Sequence, residues 1–230
     1  MMLKRILNYG SWQLGRLVRA LDRDTKKYHE ESVKFQKLMT ANNEMVYGQM
    51  YADPQLLRHY LVDSRLDFYR QVAQKVASHF HGDKVSATCL DVGCGTGHLL
   101  AELRNAGFSG RLVGLDTATA AGDQVRAHGV DLEFHSGYLS AQSWQKEFDL
   151  VLCTEVLEHC DYPADIVRDM IRVIKPGGMI AITVPDGRKD TWEGHIHFWS
   201  PESFKLFIDG FQKKAVFDYF DNTNFCVMYC

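Results

Sequence analysis

Three glycines at every second position, Gly93, Gly95 and Gly97, follow a mostly apolar run at residues 88–92 that lacks helical periodicity. The run predicts a buried strand, and the glycines predict a tight turn that opens a helix at about His98. Glycine is needed there for two reasons. The backbone must take conformations closed to residues with a Cβ, and a ligand can then approach bare N–H groups at the helix N-terminus. The stretch Leu90-Asp91-Val92-Gly93-Cys94-Gly95-Thr96-Gly97-His98 therefore reads as a nucleotide-binding loop. A dinucleotide fingerprint, Gly-x-Gly-x-x-Gly, would put its third glycine where His98 stands, so that ligand class is disfavoured.

The chain of 230 residues is long enough for one well-buried core with additions and too short for two full-sized domains. A formal net charge of −3 leaves no basic footprint of a dedicated nucleic-acid binder, so no DNA partner is expected and RNA is disfavoured. No apolar run approaches the roughly 18 residues of a membrane span, and the apolar stretch after Lys4 and Arg5 is interrupted at Asn8, which predicts a cytoplasmic protein. Six cysteines form no C-x-x-C pair and read as small buried hydrophobes in a reducing compartment, which argues against a cysteine-based zinc site.

Residues 1–27 carry seven basic and two acidic side chains, with Leu14, Leu17, Val18 and Leu21 at helical spacing. A basic amphipathic helix is expected there, packing on the core or on a second subunit. The alternative is a peripheral contact with an anionic membrane or a phosphorylated carrier. Helix is also expected through residues 27–60, broken near Asn42 and Asp53-Pro54, and through residues 56–79, where Leu66, Tyr69, Val72 and Val76 form a stripe. Beyond residue 86 strands and helices alternate, which predicts an α/β fold with a parallel sheet. Strands are expected at 88–92, 111–116, 131–135, 148–153, 179–184, 214–220 and 225–229. Pro176-Gly177-Gly178 should end the helix that Pro163 starts, and Ser200 should cap another. The expected organisation is an N-terminal helical extension over 1–85 and a main domain over 86–230.

With Asp91 two residues ahead, the glycine loop resembles motif I of class I S-adenosylmethionine (SAM)-dependent methyltransferases. Glu155-Val156-Leu157-Glu158-His159 and Arg172-Val173-Ile174-Lys175-Pro176-Gly177-Gly178 resemble segments of the small-molecule members, so the likeness covers residues 86–205. The resemblance implies a Rossmann-like, doubly wound, seven-stranded, mostly parallel sheet with an antiparallel last strand. It also implies SAM as cofactor and S-adenosylhomocysteine as product. On this likeness Asp91, Gly93, Cys94, Gly95 and Gly97 form the loop wall, and Asp116 with Thr117 meets the ribose hydroxyls at a strand end. Gly137, Tyr138 and Leu139 lie at the adenine, where the family's usual acid is replaced by Tyr138. Thr154 and Glu155 lie beside the methionine part.

Methyl transfer is an in-line displacement that alignment alone can accelerate, but a hydroxyl acceptor gains from a base within reach, and histidine titrates in the right range. His159, His195 and His197 fall in loops at the expected carboxyl edge and are the candidate bases. Tyr47, Tyr51 and Tyr60 precede the sheet, where family members cover the pocket and contribute to the acceptor site, but ordinary packing is the favoured reading of each. The expected enzyme transfers a methyl group to an oxygen of a small-molecule, sugar or lipid-linked acceptor without a metal. In the alternative, Glu155, Glu158, His159 and His195 hold Mg²⁺ or Mn²⁺, as the resemblance to ubiquinone-pathway and small-RNA ribose methyltransferases implies. A ribose 2′-O-methyltransferase acting on RNA ends and a non-catalytic SAM-binding protein are the rival functions.

Overall fold

A computed structural model describes residues 44–128, 131–192 and 194–230. The basic helix expected over residues 1–27 lies outside them. Three helices precede the sheet: α1 (Glu44–Ala52), α2 (Pro54–Leu57) and α3 (Asp63–His79). Asp53 starts α2 by accepting the Gln55 N–H, with Pro54 at the first helical position. The continuous helix expected over 56–79 is broken instead. After a short 3₁₀ turn at Arg58–Tyr60, Val62 is extended at φ −71° and ψ 147°, and α3 starts after it.

The sheet runs β1 (Cys89–Val92), β2 (Leu112–Asp116), β3 (Glu133–Ser136), β4 (Phe148–Thr154), β5 (Ile174–Pro185), β6 (Lys214–Phe220) and β7 (Thr223–Tyr229). Its spatial order is β3-β2-β1-β4-β5-β7-β6, and β7 is antiparallel to both of its neighbours. Helices α4 (His98–Asn105), α5 (Ala121–Ala127) and α6 (Pro163–Val173) follow β1, β2 and β4, and α7 (Pro201–Asp209) follows β5. This is the doubly wound sheet with an antiparallel last strand that the motifs implied. Strand order reverses beside β1, so the carboxyl ends of β1 and β4 face one crevice.

Strand β5 begins earlier than the Pro176-Gly177-Gly178 turn suggested. Ile174 already pairs with Phe148, the register then shifts, and pairing resumes at Leu150 with Met179. Gly177, at φ 80°, lets the chain bulge within the strand rather than leave it, and its N–H donates to the Cys230 carbonyl.

The central strands are apolar on both faces because helices cover both. Cys89, Leu150, Leu152, Met179, Ala181 and Phe225 pack with Phe68, Val72 and Val76 of α3 and Leu100 and Leu103 of α4. Their chain neighbours Leu90, Val151, Cys153, Ile180, Ile182 and Cys226 pack with Val167 and Met170 of α6 and Phe204 and Ile208 of α7. A two-residue alternation is thus hidden inside runs that look uniformly apolar. Helix α3 shares the core of β1, which fixes the wall of the crevice that precedes the sheet. All six cysteines are free; Cys89, Cys94, Cys153 and Cys226 are buried, and Cys160 and Cys230 are half-buried. Among the described residues no helix is long and apolar enough to cross a membrane.

Candidate functional site

At the end of β1 the backbone turns through Gly93, Gly95 and Gly97 with φ of 72°, 48° and 77°, the left-handed values that made glycine necessary. The Gly93 and Cys94 N–H groups both donate to the Leu115 carbonyl, at 2.7 and 3.0 Å, pinning the loop to β2. The Asp116 carboxylate closes the arrangement. One oxygen accepts the Gly95 N–H and the other the Ala118 N–H, each at 2.9 Å. A Cβ on Gly95 would lie 2.9 Å from the Tyr51 hydroxyl oxygen, and one on Gly93 would lie 2.4 Å from a Val156 methyl.

The loop forms one wall of a cavity of about 520 Å³, within the size range of cofactor sites. Asp91, Gly93, Cys94 and Gly95 line it from β1, Asp116 and Thr117 from β2, and Gly137, Tyr138 and Leu139 from beyond β3. Thr154, Glu155 and His159 line it from beyond β4. Tyr47, Tyr51, Tyr60, Arg65 and Tyr69 cover it from the helices before the sheet. Gly97 is not on this wall. A Cβ there would meet Val125 of α5 at 2.9 Å, so Gly97 serves the turn and the packing of α5.

Burial sets the electrostatics of the crevice. It pushes the Asp91 carboxyl up to about 8, with the Asp116 charge adding to the effect. It also raises Asp116, against the hydrogen bonds from Ala118 and Gly95 that favour its anion. The hydroxyl of Tyr60 is raised to about 12, again chiefly by burial.

Glu155 stands at the turn after β4 with a left-handed φ of 54°; its N–H donates to the Thr183 carbonyl, and the Thr183 hydroxyl donates to its carboxylate at 3.0 Å. Its other oxygen lies 3.8 Å from the Arg65 guanidinium, which packs over the rings of Phe68 and Tyr69. Glu155 and Arg65 are also part of a second cavity of about 450 Å³, walled further by Phe68, Pro185, Lys189, Asp190, Trp192 and His195. The two cavities therefore share a boundary made by one carboxylate and one guanidinium.

The loop after β5 reaches this boundary because the Glu158 carbonyl accepts N–H groups from Ile196 and His197, at 2.8 and 3.1 Å. That staple sets the His195 ring against His159, with ring centroids 4.6 Å apart. The three candidate histidines then part company. His195 lines the second cavity, and its Nδ1 hydrogen-bonds the Asp190 carboxylate. His159 lines the first cavity, and burial, with His195 beside it, lowers it to about 4. His197 lines neither; its Nε2 contacts the Cys160 carbonyl at 2.8 Å, and its ring stacks on Trp199.

Glu158 is fully buried, and neither carboxylate oxygen has a hydrogen-bond partner among the described residues. Ligand-capable atoms of Glu158, His159 and His195 lie within 4.8 Å of one another; Glu155, which also belonged to the sequence-derived metal set, is absent from this group. Its carboxylate is engaged by Thr183 and faces Arg65. Arg65, Tyr69, Lys189, Asp190 and Trp192 are cavity residues that no local motif marked; only the register of α3 against the strand ends brings Arg65 to the boundary.

Comparison with known proteins adds to this geometry. The family model described as a methyltransferase domain matches residues 63–228. The chain belongs to this methyltransferase family. Its superfamily is that of the class I SAM-dependent methyltransferases, whose cofactor is SAM. A ubiquinone biosynthesis O-methyltransferase of Hydrogenovibrio crunogenus is 38% identical over 99 residues, 40% of each chain. One from Rickettsia bellii is 24% identical over 163 residues, 66% of this chain and 67% of that one. The match thus spans from two fifths to two thirds of these relatives' length. A SAM-dependent methyltransferase from Aquifex aeolicus shares the methyltransferase fold at a TM-score of 0.62 and 20% identity, over 77% of this chain and 97% of that one. The plantazolicin methyltransferase BpumL, solved with S-adenosylhomocysteine, shares it at 0.64 and 12% identity, over 85% and 98%.

The proton on Asp91 makes a prediction. Its carboxyl sits near 3.8 when unfolded and about 8 when folded, so between those values the folded methyltransferase binds more protons and loses stability as pH rises. In urea titrations of the ligand-free protein, the fall in stability from pH 5 to pH 8 should be shallower in Asp91→Asn than in wild type. An equal slope would remove Asp91 as a buried proton holder.

Proposed function

We propose that this chain transfers the methyl group of SAM to an oxygen of a small-molecule acceptor, with the cofactor in the larger cavity and the acceptor in the smaller. The observation that carries the reading is the shared boundary at Arg65 and Glu155, which lets two ligands meet end to end. Asp116 faces the ribose hydroxyls, the glycine loop accommodates the chain joining ribose to sulfur, and Gly137 to Leu139 border the adenine. Arg65 suits the carboxylate of the amino-acid tail, because a planar guanidinium binds carboxylate with paired donors. Thr154 and Glu155 lie along the same tail. The names of the curated relatives support an oxygen acceptor.

In this reading the acceptor oxygen attacks the methyl carbon in line as the carbon–sulfur bond breaks, and the sulfur leaves with the bonding electrons as S-adenosylhomocysteine. Alignment and exclusion of water supply much of the rate. The acceptor proton passes to His195, the one candidate histidine that lines the acceptor cavity. His159 is held neutral by burial and shapes the boundary, and His197 fastens the loop.

A divalent cation is the second reading, favoured by the Glu158 carboxylate, which has no hydrogen-bond partner among the described residues and stands beside two imidazoles. That donor set fits a hard to borderline cation. Glu158, His159 and His195 would hold it, and its chemistry would be to lower the pKa of an acceptor hydroxyl.

Calorimetry tests the cofactor assignment. Gly95→Val, which must place a branched side chain at φ 48° against Tyr51, and Asp116→Ala should each abolish or greatly weaken SAM binding. Wild-type affinity in both would overturn it. EDTA separates the two readings of the acceptor side: activity lost and then restored by Mg²⁺ or Mn²⁺ selects the cation, and activity unchanged by EDTA selects His195 acting alone.

A further inference from the structure

We infer that Asp190 is a positioning residue that holds His195, a residue of the second cavity wall, in its Nδ1–H tautomer, leaving Nε2 as the lone-pair nitrogen beside the Glu158 carboxylate. The inference rests on the acceptor-side reading above for its purpose, but its structural content stands independently. Neutral imidazole carries one ring proton, and the partner of one nitrogen decides which nitrogen holds it. The Asp190 carboxylate can only accept when ionised, so the nitrogen beside it, Nδ1, donates. The other nitrogen, Nε2, lies 3.9 Å from a Glu158 oxygen, too far for a hydrogen bond.

The loop is built to keep this contact. Lys189 and Asp190 both donate backbone N–H groups to the Asp186 carbonyl, at 2.8 and 3.0 Å, and this tight turn projects Asp190 inward. One Asp190 oxygen accepts the Trp192 N–H at 3.0 Å, which leaves the other for His195. The His195 N–H in turn donates to the Trp192 carbonyl at 3.2 Å, so the pair is closed by backbone on one side and by side chains on the other. The side chains are 9% and 11% exposed, so water competes little for either. The lone pair at Nε2 serves either acceptor-side reading, as proton acceptor or as ligand. A carboxylate fixing the far nitrogen of a working histidine is a known way to set ring orientation and basicity.

Asp190→Asn is the informative variant. Its carbonyl oxygen remains on the Trp192 N–H, so the amide nitrogen falls where the second carboxylate oxygen stood. A donor then faces Nδ1, and the ring proton must move to Nε2. Nitrogen-15 NMR of the full chain labelled in its histidine rings reads this directly, with His195 assigned by its absence in His195→Gln. In the neutral form of the ring, reached by raising the pH until the His195 signals stop moving, the wild type should show a protonated Nδ1 and an unprotonated Nε2, Asp190→Asn the reverse, and Asp190→Glu the wild-type pattern. SAM affinity by calorimetry should stay within about twofold in both variants, and kcat for methylation of catechol, used as the probe acceptor, should fall about 10- to 100-fold in Asp190→Asn with KM little changed. A neutral wild-type ring protonated at Nε2, a pattern unmoved by Asp190→Asn, or an unchanged kcat would overturn the inference. If wild type binds SAM but leaves catechol untouched, the acceptor reading is the one contradicted, and the NMR result alone decides the role of Asp190.

Discussion

The Asp116 carboxylate is the contact on which the rest of the site depends. Burying a carboxylate is costly unless its oxygens are bonded, and here two main-chain amides supply the bonds, one from the glycine loop and one from the start of the next helical segment. The carboxylate thus ties the end of β2 to the turn after β1; three glycines take the left-handed conformations of that turn, and two of them, Gly93 and Gly95, line the cavity without a side chain. The N–H groups of Gly93, Cys94 and Gly95 are spent on holding the loop, so what it offers a ligand is close approach to bare backbone at no further ordering cost. The crevice at the strand reversal exists in any sheet of this order; Asp116 makes it a site.

The second cavity is organised by another backbone contact. The Glu158 carbonyl receives two N–H groups from the loop after β5, and that loop carries Asp190, Trp192 and His195 to the far face of Glu155. The backbone of Glu158 thus holds the loop, while its fully buried carboxylate has no hydrogen-bond partner among the described residues. Burial raises Glu158, and Glu155 nearby adds to the effect. A neutral acid is one resolution of that tension and a bound cation is the other, which is why chelation is decisive for the chemistry although both resolutions preserve the fold.

Much of this was legible in the sequence where the determinants are local. The glycine spacing, the acid at the end of β2 and the Ser200 cap each act within a few residues, and the structure shows the left-handed turn, the Gly95 N–H on Asp116 and the Ser203 N–H on Ser200. The strands were legible as apolar runs, but their sorting into two faces was not, because both faces are apolar. Pro176-Gly177-Gly178 looked like a helix stop and strand start; the pairing of Ile174 with Phe148 overrode that local preference and turned it into a bulge. Arg65 and Asp190, cavity residues that escaped notice, carry no spacing signal and reach the cavities through register across the fold. The choice among three histidines was likewise tertiary: His195 and His197 are two residues apart, yet one lines a cavity and the other is spent on the Cys160 carbonyl.

The proposed transfer requires two ligands to meet across Glu155 and Arg65, with the glycine loop and Asp116 on one side and His195 on the other. A crystal structure of the full chain with S-adenosylhomocysteine decides whether they do. The ribose hydroxyls should lie on Asp116, the amino-acid tail at Arg65, and the sulfur should turn toward the cavity that His195 lines. A ligand seated elsewhere, or one whose sulfur faces away from that cavity, would contradict the proposed transfer.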